Sequence, residues 1–75
     1  SISDAYAETK AGKWLYAHAG KYGWSLSFPD GYEYITGYRW ECWHYRYVGV
    51  ENAQYMQKHN LVLEEYIALL KAAGK

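Results

Sequence analysis

A single cysteine, Cys42, in a chain of 75 residues strongly limits how this sequence can fold. A domain of this length buries only about 60–65% of its unfolded surface, so its stability is marginal without a further support. One cysteine cannot form an internal disulfide, which leaves a bound metal or association with another segment. The sequence therefore predicts at most one small domain that relies on more than its own core.

The aromatic content of the sequence fits a packed core with aromatic surface left over. The sequence holds four Trp, ten Tyr and one Phe, and a composition this rich in large rings is incompatible with disorder. Rings left at the surface could line a groove for peptide or sugar.

The sequence has eight basic and eight acidic residues, so its formal net charge is zero. The basic residues are scattered along the sequence, and we therefore expect no nucleic-acid partner. The apolar stretch at residues 66–70 is far too short to span a membrane.

Three segments have the apolar spacing of helices. Apolar side chains recur every three or four positions over residues 5–22, which predicts one amphipathic helix that Gly23 ends. We expect two further helices near the C-terminus, over residues 50–58 and 61–73.

Two strands lie between these helices. Residues 24–28 alternate large apolar with small polar side chains, and the Pro-Asp-Gly of residues 29–31 predicts a turn. Residues 32–37 read as a loop or short irregular strand, and residues 43–48 as a second strand that pairs antiparallel with the first. The expected faces of the second strand are Trp43, Tyr45 and Tyr47 on one side and His44, Arg46 and Val48 on the other. This order predicts an α+β fold whose strand pair is part of a larger sheet, because two strands alone are marginally stable.

A carboxylate and an imidazole stand three residues apart at the start of the second strand. Glu41 and His44, separated by one turn or bulge, are the residue types that a zinc peptidase uses as general base and metal ligand. The alternative is a half-buried structural histidine bonded to Glu41, which is the commoner outcome for such a pair. Cys42 could share a strand face with His44 and bind zinc beside it. A buried inert thiol and an intermolecular disulfide are the alternatives for Cys42.

The surrounding residues resemble a known family. Residues 41–49, ECWHYRYVG, resemble the C-terminal signature of the VanY-like zinc D-alanyl-D-alanine carboxypeptidases, part of the wider lysostaphin-like and hedgehog-like metallopeptidase group. YGWSLSFPDG at 22–31 and ITGY at 35–38 look like the segments before that signature, and GVENA at 49–53 and LEEY at 63–66 look like those after it. The resemblance implies that residues 1–75 are a single C-terminal fragment of a carboxypeptidase catalytic domain. It further implies hydrolysis of a peptidoglycan stem peptide, in the cell envelope or outside the cell.

By this resemblance, Glu41 is the catalytic base and His44 the last zinc ligand. Arg46, Trp43 and Tyr45 are the candidates for substrate contacts, with a solvated or structural role as the alternative for Arg46. The family's other two zinc ligands lie in an upstream Ser-x-His-x-x-Gly-x-Ala-x-Asp segment that this sequence does not contain. The family also usually has Pro where Cys42 stands. We therefore expect weak or no activity from the chain alone.

Other functions stay open. The chain could bind a peptidoglycan stem peptide without cleaving it, or act as an aromatic scaffold that associates with further copies of itself. A complementing N-terminal segment that carries a His and an Asp would instead complete the zinc site. Of the remaining histidines, His18 is expected at a core edge rather than as a ligand, and His59 at a helix end, where it interacts with the C-terminal dipole.

Overall fold

The computed structural model describes residues 2–74 and has the expected α+β arrangement. Its elements are α1 Ile2–Ala7, α2 Lys10–His18, a 3₁₀ helix Ala19–Tyr22, β1 Trp24–Phe28, α3 Glu33–Thr36, β2 Glu41–Tyr47, α4 Val50–Lys58 and α5 Leu63–Ala72. β1 and β2 pair antiparallel, which confirms the predicted strand pair. Both C-terminal helices are also confirmed, while β2 begins two residues earlier than predicted.

The single helix predicted over residues 5–22 is wrong, because the chain leaves the helical conformation at Thr9. Thr9 is extended, with φ −73° and ψ 157°. Its hydroxyl accepts a hydrogen bond from the N–H of Gly12 at 3.0 Å and donates one to the carbonyl of Tyr6 at 2.6 Å. Thr9 thus caps the start of α2. The helical segment ends as predicted at Gly23, which has φ 95°.

The connection from β1 to β2 is more ordered than the sequence indicated. The N–H of Tyr32 donates to the carbonyl of Pro29 at 3.3 Å, and Gly31 has φ 86°, which confirms the predicted turn. The loop or irregular strand predicted over residues 32–37 is wrong, because Glu33–Thr36 form the single turn of α3. That turn ends at Gly37 with φ 79°.

The core is small, and much aromatic surface remains outside it. α1 packs on β2, and α4 packs on the 3₁₀ helix and β1. The buried apolar side chains are Ala19, Cys42, Ala53, Met56 and Val62. Large exposed rings include those of Trp14, Tyr16, Tyr34, Tyr38 and Trp43. The sheet has two strands within residues 2–74, so its membership of a larger sheet stays a prediction. None of the helices described is long and apolar enough to cross a membrane.

Candidate active site

The register between β1 and β2 changes beside the candidate site. Leu26 lies opposite Tyr45, and Phe28 lies opposite Glu41. Between these two pairs β1 advances by two residues while β2 advances by four. β2 therefore carries two extra residues between Glu41 and Tyr45, which bulge from the regular ladder.

This bulge brings Glu41 and His44 together. In a regular strand, side chains three residues apart point to opposite faces, and their Cα atoms are roughly 10 Å apart. Here Oε1 of Glu41 lies 3.7 Å from Nδ1 of His44. The sequence predicts either a turn or a bulge between these two residues. The shift in register identifies it as a bulge.

The pair is accessible to water. About 30% of the Glu41 side chain and 50% of the His44 side chain are exposed. The separation of 3.7 Å is too long for a good hydrogen bond, and an exposed pair of this kind adds little to stability. The Glu41–His44 pair therefore contributes little to the stability of the fold. It is suited to a carboxylate that accepts a proton from a water molecule beside an imidazole.

The ring of Phe28, which sequence reasoning missed, lies against the site, and the ring of Tyr38 packs on Phe28. The ring centroid of Phe28 lies 4.8 Å from that of His44 and 4.7 Å from that of Tyr38. The N–H of Tyr38 donates to the hydroxyl of Thr36 at 3.1 Å, which fixes the chain just before β2. The predicted antiparallel pairing could have indicated that Phe28 lies near the site, because it places the end of β1 beside the start of β2.

Cys42 has different surroundings from His44. Its side chain is buried, and its thiol donates to the carbonyl of Ser3 in α1 at 3.1 Å. These are the contacts of a buried inert thiol, one of the alternatives that the sequence left open. Zinc binding by Cys42 beside His44 stays a prediction that these contacts do not favour.

The three candidate substrate contacts are spread over different parts of the strand. Tyr45 lines a hollow of about 700 Å³ beneath the strand pair, where its hydroxyl is buried and has no hydrogen-bond partner among residues 2–74. Burial raises the pKa of Tyr45 to about 12, with a further contribution from Cys42. Trp43 is half exposed, and Arg46 lines a separate cleft against α5. Their roles in substrate binding stay predictions.

The side chains present do not complete a metal site. Across residues 2–74, no three side chains of His, Cys, Asp or Glu come together. His18 stacks on Trp14 with ring centroids 4.3 Å apart, and His59 lies against Tyr55 at 4.4 Å. Because a catalytic zinc uses three protein ligands, an ion at His44 would need ligands from outside these residues.

Known proteins match this chain in both sequence and fold. The family model "VanY: D-alanyl-D-alanine carboxypeptidase" matches residues 1–50. A D-alanyl-D-alanine carboxypeptidase of Enterococcus faecium is 45% identical over 60 residues, which cover 80% of this chain and 20% of that relative.

Two solved structures share the fold. The LD-carboxypeptidase LdcB, whose structure concerns peptidoglycan recognition, has a TM-score of 0.83 and 43% identity over 87% of this chain and 30% of its own. VanYB in complex with D-alanine-D-alanine has a TM-score of 0.76 and 37% identity over 79% of this chain and 33% of its own. The chain thus spans between a fifth and a third of each of these proteins. Since the family model covers residues 1–50 of the 75, the chain belongs to the VanY family of D-alanyl-D-alanine carboxypeptidases.

Proposed function

We propose that this chain carries the catalytic base and one zinc ligand of a carboxypeptidase that cleaves the terminal D-Ala-D-Ala bond of peptidoglycan stem peptides. The observation that supports this most is the 3.7 Å approach of the Glu41 carboxylate to the His44 imidazole, inside the segment that matches the family. The Enterococcus faecium relative is a D-alanyl-D-alanine carboxypeptidase, and VanYB is seen with D-alanine-D-alanine. Since peptidoglycan is the substrate, the activity belongs in the cell envelope or outside the cell.

Each residue of the pair has one role in this proposal. Zinc, when bound, supplies polarisation of the scissile carbonyl and acidification of water. His44 is the ligand that this chain contributes. Glu41 accepts the proton of the attacking water on its carboxylate and returns it to the amine of the departing D-alanine. The bulge in β2 supports this assignment because it leaves both side chains open to water on the same side of the strand.

The remaining zinc ligands come, in this proposal, from residues outside the 75. One imidazole holds zinc too weakly for a catalytic site, and no group of three possible ligands forms within residues 2–74. We expect the chain alone to show weak or no hydrolysis. A complementing segment with a His and an Asp, joined to this chain or supplied separately, would restore it.

A chimera tests the proposal. This chain replaces the matching segment of the Enterococcus faecium relative, which supplies the rest of the domain, and the release of D-alanine from a peptide ending in D-Ala-D-Ala is measured with zinc present. We expect the chimera to be active. Glu41→Gln keeps the shape of the side chain but removes the base, so it should lower kcat by about 100-fold or more.

The matched control is Glu51→Gln. Glu51 is an exposed glutamate of α4, and its replacement should leave the activity of the chimera unchanged. A Glu41→Gln chimera as active as the parent would contradict the assignment of the base.

The alternative is a protein that binds the stem peptide or associates with itself without cleaving anything. The many exposed rings favour this alternative. Peptide binding by a fully zinc-loaded chimera that releases no D-alanine would support it. Sedimentation of the chain at several concentrations tests self-association, and a monomer throughout would contradict an oligomerising scaffold.

A further inference from the structure

We propose that Phe28 is a positioning residue that holds the His44 imidazole in place beside Glu41. The inference rests on the proposed function, since it concerns how the His44 side chain is held in its orientation beside Glu41. Phe28 contacts both partners. Its ring lies 4.8 Å from the imidazole, and its backbone is the cross-strand partner of Glu41.

The contact of His44 with Glu41 is a weak restraint on the imidazole. Half of the His44 side chain is exposed, and an exposed side chain samples several rotamers unless its contacts select one. The Glu41 carboxylate is too far from Nδ1 for a good hydrogen bond, and salt screens an exposed ion pair. Of these two contacts, the ring of Phe28 is the firmer restraint on the imidazole.

Phe28 is itself held on three sides. It precedes Pro29, and the residue before a proline is confined to extended backbone. It pairs across the sheet with Glu41, and its ring packs on Tyr38 at 4.7 Å. Tyr38 is fixed in turn, because its backbone exchanges two hydrogen bonds with the hydroxyl of Thr36. The backbone that carries the ring of Phe28 is thus restrained by the proline after it and by its pairing with β2.

The shape of the contact favours an aromatic residue at this position. The rings of Phe28 and His44 are tilted by 59°, an arrangement near edge-to-face in which the positive edge of one ring meets the negative face of the other. A leucine would fill much of the same volume but offers no ring face. Phe28→Leu should therefore release the imidazole, whereas Phe28→Tyr should keep it in place.

NMR of the 75-residue chain tests this directly. Three-bond couplings about χ1 of His44 should indicate one dominant rotamer in the parent and in Phe28→Tyr, and rotamer averaging in Phe28→Leu. The matched control is Tyr47→Leu, which removes the ring pair of Trp24 and Tyr47, with centroids 5.3 Å apart, from the same two strands. That control should leave the His44 couplings unchanged.

The outcomes separate this inference from the proposed function. A single His44 rotamer in folded Phe28→Leu would overturn the inference, whatever the activity of the chimera. If Phe28→Leu does not fold, Tyr38→Leu loosens Phe28 without altering β1, and unchanged His44 couplings in that variant would overturn it equally. In an active chimera, Phe28→Leu should lower kcat by about 10-fold with KM little changed, as for the loss of a group that orients a metal ligand. An inactive chimera would reject the function while the couplings still decide the role of Phe28.

Discussion

The hydroxyl of Tyr45 should destabilise the fold, because it is buried and has no hydrogen-bond partner among residues 2–74. Phe at this position keeps the ring in the hollow beneath the strand pair and removes the hydroxyl. An unsatisfied buried polar group costs about 1–3 kcal/mol. Since the ring is only partly buried, we expect Tyr45→Phe to raise the free energy of unfolding by about 1–2 kcal/mol, with each 1 kcal/mol raising Tm by about 4–8 °C.

The same hydroxyl predicts a loss of stability at alkaline pH. Burial raises the pKa of Tyr45 from 10.0 to about 12, so the unfolded chain releases this proton at lower pH than the folded chain does. Between these values the unfolded state binds fewer protons, and the stability of the fold decreases as the pH rises. The two pKa values differ by about two units, which lowers the free energy of unfolding by at most about 2.7 kcal/mol at high pH. Because solvent near the ring screens the charge, we expect the parent to lose roughly half of that free energy of unfolding. Tyr45→Phe should lose none of it over the same pH range.

Urea denaturation at neutral pH and through the range from about pH 10 to pH 12 measures both effects. Tyr34→Phe is the matched control, since that side chain is 84% exposed and its hydroxyl should not affect stability. A Tyr45→Phe variant less stable than the parent at neutral pH would refute the reasoning, because it would mean that the hydroxyl is hydrogen-bonded in solution.

Two further predictions concern the packing around the strands. Gly23→Ala should destabilise the fold more than Gly37→Ala, because a Cβ at Gly23 would lie 2.7 Å from the ring of Tyr47 and 3.1 Å from the backbone of Gly49, while a Cβ at Gly37 meets nothing. Positive φ alone costs about 1–2 kcal/mol, and equal losses by urea denaturation would contradict the close packing. The Cys42 thiol should react slowly with a thiol reagent in the folded chain and rapidly in denaturant, whereas equally fast labelling without denaturant would show that it is exposed.

Elements defined by local signals could be predicted from the sequence. β1 was predicted at its observed bounds because alternation and the turn beginning at Pro29 lie within a few residues of it. The break at Thr9 was missed because apolar spacing continues on both sides of it. That break depends on the hydroxyl of Thr9, which bonds to the backbone of Tyr6 and Gly12. Many threonines in a sequence could either stay within a helix or cap a new one with the hydroxyl. The packing of α1 and α2 decides between these two conformations at Thr9.

The chemistry of the candidate site was easier to predict than its geometry. Glu41 and His44 were singled out by residue type and by resemblance, but regular alternation would have put them on opposite faces of β2. Their approach depends on the register of β2 against Leu26 and Phe28, and that pairing is made across the sheet. The predicted pairing placed Phe28 near the start of β2, but its ring could not be assigned to His44 without the register of the two strands.

The assignment of His44 as the zinc ligand is tested most directly by adding zinc to the chimera, which supplies the remaining ligands, and following His18, His44 and His59 by NMR. We predict that the ring signals of His44 move at lower zinc concentration than those of His18 and His59, and that Glu41→Gln does not abolish this order, since the imidazole is the ligand. An earlier or equal response of His18 or His59 would contradict the assignment of His44 as the metal ligand of this chain.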